Sequence, residues 1–203
     1  DEYIESEWWA LQEIWKKGLL YKGFKVVPYS PHCGTPLSSH EVAQGYKTLK
    51  ERSAIVRFKV KGEDAYFLAW TTTPWTLPSN TALCVGPKID YVCVRTFNAY
   101  TGQPITVVMA KALLSSYFNS EAENADFQSY KQGDKLIPYQ VVGEWKGADL
   151  VGMHYEQLLP YVNPGEGAFR VIPGDYVSTE DGTGIVHIAP TFGADAALVA
   201  KQA

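Results

Sequence analysis

At 203 residues, 46% hydrophobic, 13% aromatic and 20% charged, the chain has the composition of a soluble globular protein with ample material for a core. Its net charge of −4 excludes a broad electrostatic grip on nucleic acid, so any RNA contact has to be local. Cys33, Cys84 and Cys93 are too sparse for a secreted disulfide framework and point to a reducing, cytoplasmic setting. No apolar run is long enough to cross a bilayer, so no membrane partner is expected, and the acidic, aromatic start DEYIESEWW reads as neither signal nor transit peptide.

In chain order, Ile4, Trp8, Leu11 and Trp15 fall on one helical face, with Lys16 and Lys17 suited to a last turn and Gly18 to a stop. The stretch FKVVPYSPHCGTPLSSHEVAQGYK then reads as a strand and turns leading away from that helix. Residues 1–45 are therefore expected to form a leading segment, and 46–203 a separate domain. From about Tyr46 the chain is strand-rich: IVRFKV, DAYFLAWT, TALCV, YVCVRT, ITVVMA, YQVVGEW, FRVI and GIVHIA are short, rich in Val, Ile and aromatics, and bounded by turn residues. Helical pattern is confined to KALLSSYF near 111–118 and to the tail after Gly193, while NSEAENADFQSYKQGD reads as a polar surface loop. The predicted class is mainly β with α decoration (α+β), built as a closed or nearly closed β-barrel.

Two stretches carry chemistry. In DAYFLAWT, alternation puts Tyr66, Leu68 and Trp70 on one face and Phe67, Ala69 and Thr71 on the other. Pro74 ends the strand, because it cannot donate to a ladder and pushes Thr73 out of the helical region. Thr71, Thr72 and Thr73 thus sit where a strand opens into a loop, with hydroxyls and amides free for water or a polar ligand beside an aromatic wall. Taken alone, the same residues also suit an ordinary strand end with two core tryptophans. In the second stretch, Asp181-Gly182 with Gly184 makes a tight turn before the strand IVHIA, and Gly193 precedes a last helix beginning near Asp195. A His inside an apolar strand is usually a core residue with a hydrogen-bond partner.

Together, Trp70-Thr71-Thr72-Thr73-Pro74-Trp75-Thr76-Leu77-Pro78-Ser79-Asn80 and Gly182-Thr183-Gly184-Ile185-Val186-His187-Ile188-Ala189-Pro190 resemble the editing (CP1) insertion of the isoleucyl-tRNA synthetases. TPLSSHEVAQGYK and ESEWWALQEIWKKGLLYKG support this from the segment that enters the insertion. The sister valine and leucine domains resemble TTRPET or TTRPDT in the turn, so Thr73 and Trp75 favour the isoleucine branch. Nothing resembles the HIGH or KMSKS signatures of the synthetic site, and no aminoacylation is expected of this chain, which looks like an excised insertion.

The resemblance implies hydrolytic deacylation of mischarged Val-tRNA(Ile), with rejection of isoleucine. One methylene in an apolar pocket, for which isoleucine against valine is the standard illustration, is worth only about 1–3 kcal/mol, so a second and smaller pocket must destroy the error. By resemblance Thr72 and Thr73 position water or the ester carbonyl, Thr71 lines the ester and Trp70 forms an apolar wall. His187 is the steric stop and a polar contact, and Thr76, Asn80 and Phe192 are secondary contacts. Hydroxyls suit this work because they donate and accept without charge. A threonine is too weak a base to ionise water unaided, so orientation and the vicinal ribose hydroxyl carry much of the catalysis.

Implied partners are the 3′-terminal aminoacyl-adenosine of tRNA(Ile), misactivated valine as Val-tRNA or Val-AMP, and the rest of the synthetase. No cofactor and no metal are implied. Ser30-Pro31-His32-Cys33 resembles half a zinc hairpin of some relatives, but Ser30 replaces the first Cys and no second Cys pair exists.

The chain departs from the family pattern at Ala196, which stands where the family places an aspartate that pairs with the substrate ammonium group and helps hold the water. Asp195 is next door, but one residue along a helix turns a side chain by about 100°, so it is not expected to substitute. An inactivated Asp→Ala variant that binds aminoacyl-adenosine and barely hydrolyses it is expected. The alternatives are a non-catalytic binding module for the tRNA acceptor end, and an insertion that only positions the parent enzyme.

Overall fold

The computed structural model describes residues 1–203, and these fall into two compact units, Asp1–Val42 and Ala43–Ala203. In the first, helix α1 (Glu2–Lys16) has Glu2 and Glu5 in its first turn and Lys16 in its last, favourable signs for a helix dipole at both ends. It gives way at Gly18, whose φ of +68° lies in the left-handed region open to glycine. The strand expected from FKVVPYS is shorter than the pattern suggested: only β1 (Tyr29–Ser30) and β2 (Thr35–Pro36) pair, in an antiparallel hairpin. Pro28, Pro31 and Pro36 leave too few amide donors for a longer ladder. Helix α2 (Ser39–Gln44) follows, and its start is closed by reciprocal bonds: Ser38 N donates to Glu41 Oε2 (2.7 Å) and Glu41 N to Ser38 Oγ (3.3 Å).

The second unit contains all eight strands expected from the sequence: β3 (Ala54–Lys59), β4 (Tyr66–Thr71), β5 (Ala82–Val85), β6 (Asp90–Phe97), β7 (Pro104–Ala110), β8 (Gln140–Lys146), β9 (Arg170–Pro173) and β10 (Ile185–Ile188). They form a five-stranded sheet in the order β3-β4-β7-β6-β8 and a three-stranded sheet in the order β10-β5-β9. Short helices α3 (Leu114–Tyr117) and α4 (Gly147–Leu150) decorate the strands, and α5 (Ala194–Gln202) closes the chain. The helical content is wider than expected. Gly147–Leu150 forms a turn that its Gly start hid, and Pro74–Ser79 is a 3₁₀ helix rather than an open loop because Pro74 sits at its first position, where a missing N–H costs nothing.

A main core joins residues of both sheets, and a smaller cluster gathers Ala82, Cys84, Ile172, Val177 and Ile188 against Val199 of α5. Phe58, Phe67, Leu83, Tyr91, Met109 and Ile185 are fully buried within the main core. The ladders form two sheets rather than one continuous run of paired strands. The turn before β10 stitches them together. Ala110 N donates to Thr183 O (2.9 Å), Thr183 Oγ1 to Leu68 O (2.6 Å) and Tyr91 Oη to Gly184 O (2.6 Å). Tyr117 Oη adds a bond to Gly182 O (2.8 Å). Gly182 and Gly184 have φ of +74° and +73°, and a side chain on Gly184 would run into Ala110.

Both the conformation and the space at Gly184 exclude a Cβ. Gly184→Ala is expected to lower unfolding stability by about 2 kcal/mol, measured by urea denaturation, whereas Gly62→Ala, which meets no neighbouring atom, costs only its backbone strain of about 1 kcal/mol.

Candidate functional site

The site begins where β4 ends. Thr71 is the last inward residue of the strand and is buried, and its Oγ1 accepts from Thr73 N (3.0 Å), so a side chain replaces the ladder partner lost at Pro74. The following 3₁₀ turn folds Thr76 back over the strand end. Thr76 N (3.0 Å) and Thr76 Oγ1 (2.8 Å) both donate to Thr73 O. The hydroxyls of Thr71 and Thr73, and those of Thr73 and Thr76, lie 3.4 Å apart. Three hydroxyls within six residues are thus held in one cluster by their own backbone.

Strand β10 brings the imidazole. It pairs antiparallel with β5 with His187 opposite Leu83, and His187 Nε2 reaches Thr76 Oγ1 at 2.9 Å across 111 positions of sequence. Nδ1 lies 3.4 Å from Asn80 Nδ2. Burial holds the His187 pKa below its ordinary value of 6.5 and so favours the neutral ring.

Trp70, Thr71, Thr72, Thr73, Thr76, His187, Phe192 and Ala196 line one cavity of about 260 Å³. Every residue singled out from the sequence is there except Asn80, which is buried behind His187 and touches the cavity only through that ring. Thr72 and Phe192 are exposed at the mouth. Val186, Ala189 and Gly193 complete the wall, and the sequence reading did not single them out. Tyr155 was missed as well: its buried hydroxyl donates to Asn80 Oδ1 at 2.6 Å. No local pattern flags it, since the two residues are 75 positions apart.

Helix α5 starts at Ala194, and its first turn separates two neighbours. Ala196 faces the threonine cavity, while Asp195 lines a different one with Pro87, Pro173, Asp175 and Tyr176. No carboxylate lines the threonine–histidine cavity. A larger hollow of about 530 Å³ lies elsewhere, among Ile55, Arg57, Leu68, Tyr100, Tyr117 and Lys135. Its threonine, Thr96, spends its hydroxyl on Pro138 O (2.9 Å), and it holds no imidazole. Chemistry therefore selects the smaller cavity. At about 260 Å³ it falls below the roughly 300–1,000 Å³ usual for drug-sized ligands, so it has room for a small group only. Elsewhere Cys84 and Cys93 are buried in strands, and Cys33 is exposed with its N–H bonded to Ser30 Oγ (3.2 Å).

The sequence model of the class I tRNA synthetases (I, L, M and V) matches residues 1–185. An isoleucine–tRNA ligase of Bacteroides fragilis is 64% identical over the whole chain, and one of Clostridium tetani 51% identical over the whole chain. The chain spans 19% and 17% of the length of these two relatives. The crystal structure of GlLeuRS-CP1 superposes with a TM-score of 0.51 at 16% identity, covering 74% of this chain and 60% of that one. The chain belongs to the class I tRNA synthetases, within which it sides with the isoleucine enzymes and has the fold of the CP1 editing insertion.

A depressed folded-state pKa fixes the sign of one pH effect. The neutral ring contributes fully above the unfolded value of 6.5, and its contribution is lost as pH falls through the lower folded-state value. Between pH 7 and pH 5 the chain is expected to lose more unfolding stability than His187→Gln does, as read from denaturant midpoints. Equal losses would show that His187 is not held neutral by burial.

Proposed function

We propose that the threonine–histidine cavity hydrolyses valine from mischarged Val-tRNA(Ile) and turns isoleucine away. The observation that carries this is the convergence of Thr71, Thr73, Thr76 and His187 on one small cavity from two different sheets. Residues 1–45 form the segment leading into the insertion and 46–203 the editing domain, whose two stitched sheets act as its barrel. The 3′-terminal aminoacyl-adenosine lays its acyl group inside, with the adenosine at the open mouth by Phe192. Thr72 and Thr73 orient water or the ester carbonyl, the ribose hydroxyl beside the ester assists, and Trp70 walls the aliphatic side chain. His187 takes the volume a further methylene requires. Val-AMP, which carries the same acyl group, fits the same description. In the cell the rest of the synthetase delivers the tRNA end, in the cytoplasm.

Chemistry in this chain is weak for an identifiable reason. The substrate carries an ammonium group, and with Ala196 in place of the family's aspartate and Asp195 turned to another cavity, the acyl pocket has no anion to pair with it. That favours a second reading for the chain as it stands, a module that binds the acceptor end and turns it over slowly.

Ala196→Asp restores the missing partner. Deacylation of Val-tRNA(Ile) by that variant is expected to exceed the unsubstituted chain by about 100-fold, the size of a lost electrostatic contact at a reacting centre. Equal rates would remove Ala196 from the account, and no activity in either would leave only the binding module. Separately, His187→Ala should raise affinity for a non-hydrolysable isoleucyl-adenosine analogue by about tenfold, the worth of one methylene-sized exclusion, with valyl affinity nearly unchanged.

A further inference from the structure

His187 is held from both sides, and the donors and acceptors around it admit one arrangement of protons. Asn80 Nδ2 lies 2.9 Å from the carbonyl oxygen of Ala82, and Asn80 Oδ1 lies 2.6 Å from the Tyr155 hydroxyl. Turning the amide over would set two oxygens against each other at Ala82, so the backbone carbonyl fixes which end of Asn80 is nitrogen. The Tyr155 hydroxyl is buried and has Asn80 as its one partner, so its proton goes to Asn80 Oδ1. The second hydrogen on Asn80 Nδ2 then faces His187 Nδ1 at 3.4 Å, and Nδ1 must be the unprotonated, accepting nitrogen. In a neutral ring the proton therefore sits on Nε2 and is donated to Thr76 Oγ1 at 2.9 Å. Thr76 can receive it because its own proton goes to Thr73 O at 2.8 Å.

From this chain of bonds we infer that Tyr155 is a positioning residue: through Asn80 it locks His187 as the Nε2–H tautomer and fixes the ring plane at the wall of the acyl pocket. This deepens, and rests on, the reading of that cavity as an editing pocket. Tyr155 touches no substrate. It follows the turn after α4 and bridges antiparallel to Val60, while its neighbour His154 bridges to Arg170 on β9. Its ring packs edge-on against Phe58 and Phe169 at 5.4 and 5.9 Å between centroids. The hydroxyl is thus carried on a rigid aromatic post set in the core. A steric stop discriminates one methylene only if its ring cannot tilt, and an imidazole bonded at both nitrogens cannot. The tautomer also decides what the threonines can do. With Thr76 donating its proton to Thr73 O, it has no second proton to give, so the Thr73 hydroxyl, held only by long 3.4 Å contacts to Thr71 and Thr76, is the better placed to donate to the ester or the water.

Long-range ¹H–¹⁵N correlation spectra of the ¹⁵N-histidine-labelled chain at neutral pH test this, with the His187 signals assigned by their absence from His187→Gln. The unsubstituted chain is expected to show His187 as Nε2–H alone, Tyr155→Phe a mixture of tautomers, and Asn80→Asp, which presents a carboxylate acceptor to Nδ1, the Nδ1–H form. An Nδ1–H ring in the unsubstituted chain overturns the inference without any variant. So does an unmixed Nε2–H ring in Tyr155→Phe. Calorimetry with non-hydrolysable valyl- and isoleucyl-adenosine analogues supplies the functional readout. Tyr155→Phe is expected to narrow the affinity ratio between the two by about threefold, less than the effect of removing the ring itself and within the worth of one buried hydrogen bond. An unchanged ratio with valyl binding intact overturns the positioning role. Failure of the unsubstituted chain to bind either analogue overturns the editing pocket instead, and leaves the tautomer result standing.

Discussion

The register of β10 on β5 is the constraint from which the site follows. With His187 opposite Leu83 and Ile188 opposite Ala82, the imidazole projects toward the loop that precedes β5, where Thr76 and Asn80 lie. A slip of one residue would exchange the two faces of the strand and put Val186 or Ile188 where the ring now stands. The register is fixed at the strand's start by the Gly182–Gly184 turn, whose Thr183 and Gly184 bond to β4, β7 and β6 through Leu68, Ala110 and Tyr91. Packing of the core between the two sheets and placement of the histidine are therefore one problem with one solution. The left-handed glycines that make the turn possible serve the site as much as the fold.

Given that register, the threonine loop organises itself. Local bonds hold the Thr71 and Thr76 hydroxyls and the Thr73 amide and carbonyl, so the cluster is arranged before any ligand arrives and spends little binding energy on ordering. The cavity contains no charged group. An uncharged lining of this kind favours aliphatic groups over ionic ones, and under the proposed function it leaves a substrate ammonium group without an anion. Position 196 lies on the helix face that meets the threonines, and position 195 does not. One helical step separates a side chain that faces the threonines from one that faces the other cavity.

Much of this was legible in the sequence because the relevant signals are local. Eight strands were visible as short runs of Val, Ile and aromatics between turn residues, and alternation in DAYFLAWT separated Phe67, Ala69 and Thr71 from Tyr66, Leu68 and Trp70, of which the structure buries the first set. The motifs at 70–80 and 182–190 pointed to the residues that meet in the cavity. What was hidden depends on distance or on small deviations from pattern. Pro74 looks like a breaker in the sequence and acts as the first residue of a 3₁₀ turn. The leading FKVVPYS run has strand-like residues and too few free amides to pair. Asn80 was marked as a contact to the ligand, whereas it stands behind His187. Tyr155 carries no motif at all, and its importance appears only once the fold sets its hydroxyl against Asn80.

The central claim is that the small cavity beside the threonines, and not the larger hollow near Arg57 and Tyr100, receives the aminoacyl end. Backbone amide shifts recorded while a non-hydrolysable valyl-adenosine analogue is titrated into the ¹⁵N-labelled chain test this directly. The account predicts the largest shifts at Thr71, Thr72, Thr73, Thr76, His187 and Gly193, with residues 97–100 and 135–137 unmoved. Shifts concentrated at 97–100 and 135–137, with the threonine loop silent, would contradict it.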